Sequence, residues 1–88
     1  MYGGQEEIVT IQFPNELVGV VLDRFGKEVS LQKISEKEFA IHVKVAVSGQ
    51  FFGWLVGIGK QARLTGPEHV KEMYKNYLHE ILGEEYGL

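Results

Sequence analysis

Three histidines, nine Lys or Arg and twelve Asp or Glu are the ionisable side chains these 88 residues offer, and there is no cysteine. Disulfides and thiolate metal sites are excluded at once. The histidines share no ligand spacing. His69 and His79 lie ten apart on what reads as one helix, about 280° out of phase, and His42 belongs to a strand. The carboxylates around them alternate with lysines, as on a solvated helix surface, so no metal and no cofactor is expected. Nucleophilic catalysis has no better footing. Ser30, Ser35 and Ser48 have no acid–base partner that can be placed beside them. Gly57-x-Gly59-x-x-Ala62 loosely matches a dinucleotide-binding pattern, yet it ends a helix and enters a strand, the reverse of the context that chemistry needs. Gly59-Lys60 is no phosphate loop either. Trp54 stands where the first glycine belongs, and Gln61 replaces the Ser or Thr that would hold magnesium. The expectation is a protein that is not an enzyme. What remains is a modest basic patch: His42, Lys44 and Arg63 are expected to point outward from strands, near Thr10, Gln12 and Gln32. That is either an ordinary solvated face or a contact for an anionic effector or a nucleic-acid phosphate.

The stretch that must position everything else is residues 48–59, which holds the only Trp, two of the five Phe and four of the eleven Gly. Wound as a helix, it puts Phe51, Trp54, Leu55 and Ile58 on one face. Phe51, Trp54 and Leu55 are the expected core anchors. Phe52 and Val56 flank that face, and Gly49, Gly53 and Gly57 line the back. No face is charged, so cover is expected on more than one side. Each interior glycine costs about 1 kcal/mol relative to Ala, and a stripe of them needs a packing reason such as close approach of another backbone. Phe52, Gly53, Val56 and Gly57 are therefore the candidate interface, covered by a neighbouring element, a second domain or subunit, or a flat ligand.

Around this helix the chain reads as one domain, residues 8–83. Residues 1–7 form an acidic, Gly-rich lead, frayed or cut from something longer, and residues 84–88 a tail. Residues 8–13 alternate as a strand with Val9, Ile11 and Phe13 inward. Pro14 and Asn15 open a helix, Asn as its cap, with Leu17, Val18, Val21, Leu22 and Phe25 as its stripe and Gly26 as an αL stop. Residues 27–34 read as a second strand with Val29 and Leu31 inward, and residues 35–38 as a turn. Residues 39–47 are the clearest strand: odd positions inward, Ala40, His42, Lys44 and Ala46 outward. A short strand over 60–65 follows the central helix, with Ala62 and Leu64 inward. Pro67 starts a last helix, with Val70, Met73, Tyr74, Tyr77, Leu78 and Ile81 along one face and Gly83 at its end. The order β-α-β-β-α-β-α predicts an α+β fold: a ferredoxin-like βαββαβ unit with an added C-terminal helix. Right-handed crossovers then give a four-stranded antiparallel sheet, order 4-1-3-2, with the helices on one face.

That fold hosts many functions. Acylphosphatases share the strand order, but their Gly-rich, Arg-bearing first loop is here Phe13-Pro14-Asn15. An RNA-recognition domain would carry aromatics on its open face, where Thr10, Gln12, Ala40, His42 and Lys44 are expected. A net charge of −3 and a pI of about 5.6 argue against a strong non-specific grip on nucleic acid. No apolar run reaches membrane-spanning length, and the start lacks the features of a signal peptide. A cytoplasmic location is expected, with no membrane contact.

Taken together, these segments resemble the C-terminal extension, or WCX domain, of WYL-domain transcription regulators. Val9-Thr10-Ile11-Gln12-Phe13-Pro14 resembles that family's opening strand and short helix, and residues 43–48 resemble its Val-x-Val third strand. Phe51-Phe52-Gly53-Trp54-Leu55-Val56-Gly57-Ile58-Gly59 resembles its aromatic-x-Trp-hydrophobic-x-Gly-x-Gly helix. Leu64-Thr65-Gly66-Pro67-Glu68 resembles its strand and Pro-led helix start. The resemblance covers residues 8–82. It implies a bacterial regulator in which a winged helix-turn-helix binds DNA, a WYL domain senses a ligand or nucleic acid, and this extension helps to dimerise and to position the sensor. Both upstream domains would lie outside this chain, which would then be a C-terminal piece touching DNA only through them. A homodimer and a small-molecule or nucleic-acid effector are the implied partners. The alternative is a free-standing ferredoxin-like module that binds a small molecule.

Overall fold

A computed structural model describes residues 3–83. Four strands form one antiparallel sheet: β1 (Gly3–Pro14), β2 (Ser30–Lys33), β3 (Glu38–Ser48) and β4 (Arg63–Gly66), in the order β2-β3-β1-β4. This is the expected order. A 3-10 turn, Asn15–Leu17, leads into α1 (Val18–Phe25); α2 is Gly49–Ile58 and α3 is Glu68–Leu82. The alternation of β1 and β3 puts Val9, Ile11, Phe13, Phe39, Ile41 and Val47 in one core with Val21 of α1, Phe51, Phe52 and Leu55 of α2, and Val70 of α3. All three helices thus cover one face of the sheet. Among the described residues, no helix is long and apolar enough to cross a membrane.

Several local expectations change. The first strand begins at Gly3, so residues 3–7 are not a frayed lead. Gln5, Glu6 and Glu7 pair with Val47, Ala46 and Val45, and backbone pairing asks nothing of side-chain hydropathy. Glu7 is further held by His69 at 3.1 Å. Asn15 does not cap α1. Its side-chain amide donates to the Glu36 carbonyl at 2.8 Å, and its N–H donates to the Lys37 carbonyl at 2.9 Å, tying the end of β1 to the β2–β3 turn. Gly26 ends α1 at φ 89° but with extended ψ, not in αL. Strand β2 is shorter than residues 27–34, and Leu31, though level with Ile41, is 46% exposed because β2 is an edge. Ala40 points to the open face yet is buried, flanked by Gln12 on one side and Gln32 on the other. Pro67 precedes the first residue of α3 and follows a cis peptide, and Gly83 closes that helix as expected, in an αL conformation. Residues 1, 2 and 84–88 lie outside the described part.

Candidate functional site

The site is built on α2. Ser48 caps it, its Oγ accepting from the Phe51 N–H at 3.3 Å, which satisfies one of the donors that a helix start leaves free. Gly59 ends it at φ 94° and ψ −157°, a backbone region that is essentially glycine's alone. Phe51, Phe52 and Leu55 are buried. Trp54, the expected anchor, is half-buried: its ring meets Phe25 edge-on at 5.4 Å and Phe13 at 6.2 Å, and the Arg24 guanidinium lies 5.5 Å above it. Ile58 is half-buried as well.

The candidate interface splits into three parts. Phe52 is covered by a neighbouring element, one of the covers expected: α3 encloses that ring within the same chain, with Tyr74 and Tyr77 packed on it at 5.1 and 5.3 Å. Gly49 is covered too. The Tyr77 ring stands 3.5 Å from where a Cβ would be, and the Tyr77 hydroxyl donates to the Gly49 carbonyl at 3.4 Å. Gly53 and Gly57, however, face open space, and Val56 is 42% exposed between them. This uncovered face borders a groove of about 500 Å3 between α2, β4 and α3. Ala62 and Leu64 floor the groove, Val56, Tyr74 and Leu78 wall it, and Lys60 stands at its rim. Burial raises the Tyr74 pKa, and the neighbouring Tyr77 adds to the rise. The Tyr74 hydroxyl therefore remains a proton donor well past neutrality. Beyond the groove, Ile81 and Leu82 end α3 largely exposed.

The three residues expected to meet an anion do not converge. Arg63 is level with Gln12, and Gln12 with Ala40, whereas Lys44 is level with Ile8. Two strand spacings and four residues of rise set Arg63 and Lys44 about 16 Å apart. Arg63 also has a partner, Glu38, at 3.0 Å. His42 is held at both ring nitrogens: Nε2 donates to Gln32 Oε1 at 2.9 Å, and Nδ1 meets Thr10 Oγ1 at 3.0 Å. Thr65 extends the row by donating to the Thr10 carbonyl at 3.2 Å. The result is a polar chain across all four strands. Only Lys44 of the three has no hydrogen bond or ion pair among the described residues. Also among the described residues, no group of three His, Asp or Glu is placed to hold a metal.

Sequence reasoning missed the pair of tyrosines that roofs Phe52. The signal was present in their spacing, since Tyr74 and Tyr77 share the α3 stripe with Val70 and must meet something large and apolar. No protein-family model, characterised protein or solved structure matches the chain.

Proposed function

We propose that the chain is a non-catalytic regulatory and dimerisation domain. In this reading it is the C-terminal extension of a bacterial, cytoplasmic WYL-type transcription regulator. It helps to position the effector-sensing domain and reaches DNA only through domains upstream of it. The resemblance in its motifs supports the family, and those motifs lie on a ferredoxin-like sheet with an added helix. One observation carries the dimer: Gly53 and Gly57 stand in open space on a ten-residue helix without a single charged side chain. Among the described residues, nothing packs on these glycines to offset their cost in helix propensity. A second copy of α2, crossing at Gly53 and Gly57, would lie backbone close to backbone. Such a contact is self-complementary, as a two-fold interface requires, and sets no like charges against one another, although the whole chain carries −3.

The test is Gly53→Leu, followed by sedimentation and thermal melts. Within one chain the added side chain meets no neighbour at its Cβ, so the fold should melt no lower than wild type. The dimer should weaken or vanish, because the side chain overpacks the junction. If wild type is monomeric at every concentration, or if Gly53→Leu associates as wild type does, the dimer reading is wrong.

A second reading has the groove beside Val56 in its favour. Its volume of about 500 Å3 is that of a small-molecule site, which suits a free-standing module binding an apolar metabolite. In that case a ligand screen read by Tyr74 and Leu78 NMR shifts finds a binder, and Gly53→Leu leaves the wild-type association state unchanged.

A further inference from the structure

Strand β3 pairs with β1 along its whole length, but with β2 only from Phe39 to His42. Its outer edge is therefore unpaired over residues 43–48. The Glu38 carbonyl accepts from the N–H of Ile34 on the β2 side. Alternate residues of a regular strand turn to the same edge, so Lys44 and Ala46 present both N–H and C=O outward. Among the described residues, no backbone hydrogen bond from the loops reaches them. Elsewhere the sheet is better guarded. Strands β2 and β4 are four residues each, too short to offer a long template. At the outer edge of β1 before Thr10, α3 makes a side-chain contact, His69 to Glu7.

Along the open edge of β3 runs a cavity of about 250 Å3, walled by Arg24 and Phe25 at the end of α1 and by Lys44, Val45, Ala46 and Gln50. Among the described residues, no carboxylate lines it. Neither Arg24 nor Lys44 has an ion-pair partner among the described residues. Arg24 is held in place by its stacking on Trp54 at 5.5 Å. An exposed strand edge is where a sheet takes up an extended peptide, and here a cation flanks it on the strand and another on the helix.

We propose that this edge receives an extended peptide segment bearing carboxylate side chains, added beside β3 as a fifth strand. Lys44 and Ala46 would form the hydrogen bonds. Lys44 lies on the open side of the sheet and Arg24 on the helix side, so acidic residues on either face of the segment would find a cation. A second copy of β3 is the poorer occupant, because antiparallel pairing would bring Lys44 and Arg24 of both copies to one junction. The proposal does not rest on the α2 dimer and uses a different surface.

The experiment titrates the isotope-labelled chain with a capped peptide, Thr-Val-Glu-Val-Glu-Val-Thr. Two controls run beside it: the same peptide with Lys for Glu, and the Glu peptide with N-methyl groups on the amides that would face β3. The Glu peptide should shift and protect from exchange the amides of Lys44 and Ala46. The Lys peptide should bind at least about tenfold more weakly, and the methylated one not at all. Lys44→Glu should narrow or invert the preference between Glu and Lys peptides. If the Glu peptide fails to protect those two amides at millimolar concentration, the proposal fails. Equal binding of the Lys peptide, or binding that survives methylation, overturns it as well.

Discussion

The Tyr74 hydroxyl stands in the wall of the α2–β4–α3 groove, and its pKa is raised above the ordinary value of 10, first by burial and then by Tyr77. A raised folded-state pKa means that the folded chain holds the proton longer than the unfolded chain does. The associated stability is complete below about pH 10 and is lost as pH rises through the folded value. Urea unfolding from about pH 8 to pH 11 should show that fall, and Tyr74→Phe should flatten it. At neutral pH the two proteins should agree within about 0.5 kcal/mol, because the ring contacts remain. The aromatic cluster offers a second check. Phe52 is wholly enclosed and Trp54 only half so. Phe52→Ala should cost about 4 kcal/mol and Trp54→Ala about 3, read from denaturant midpoints. This ranking reverses the expectation from sequence, in which Trp54 was the anchor and Phe52 the flank. A helix apolar all round gives periodicity nothing to discriminate with, so which of its sides meets α3 is decided by α3. Asn15 and Ala40 were illegible for a related reason. The amide of Asn15 is claimed by Glu36, a residue 21 positions away, and Ala40 is buried by its neighbours on other strands.

At the scale of elements, the glycines of α2 separate into those that conformation requires and those that it does not. Gly59 holds a backbone that L-residues rarely adopt, so Gly59→Ala should cost about 2 kcal/mol even though its surroundings are open. Gly53 is helical and unobstructed, so Gly53→Ala should stabilise the isolated fold by up to about 1 kcal/mol. Thermal melts at low protein concentration, where association does not contribute, should order the three as Gly53→Ala, wild type, Gly59→Ala. The extent of the strands was the least readable property of the elements. The alternation of β3 marked nearly all of it, because one face is core. The first five residues of β1 carry no such mark. They are ordered as strand because β3 continues past Val43 and offers them backbone partners.

For the whole molecule, order and handedness were legible where extent was not. Alternation in two long segments, helical stripes in three others and the short links between them leave few antiparallel arrangements, and the sheet adopts the one expected. The candidate surfaces were less legible, because they are defined by what fails to cover them. The uncovered edge of β3 depends on where β2 begins, which has no strong local signal in the chain, and the open face of α2 is the one that α3 does not meet. The exposed pair Arg63–Glu38 illustrates the same point. Its partners are 25 residues apart, and no sequence pattern announces them. Arg63→Ala should change stability by less than about 1 kcal/mol.

The long β1–β3 pairing also governs how fast the chain finds its structure. Its nearest partners, Pro14 and Glu38, are 24 residues apart, and its farthest, Gly3 and Ser48, 45 apart. The β1–β4 pair spans more still, with Ile11 beside Leu64. Only the β2–β3 hairpin is local. The entropy of closing those loops must be met before the central contacts return anything, so folding should fall in the millisecond-to-second range of non-local topologies, not the microseconds of helical bundles. Stopped-flow chevrons would also rank the elements in time. Ile41→Val, at the centre of the sheet, should slow folding, whereas Leu78→Ala, on the C-terminal helix, should chiefly hasten unfolding.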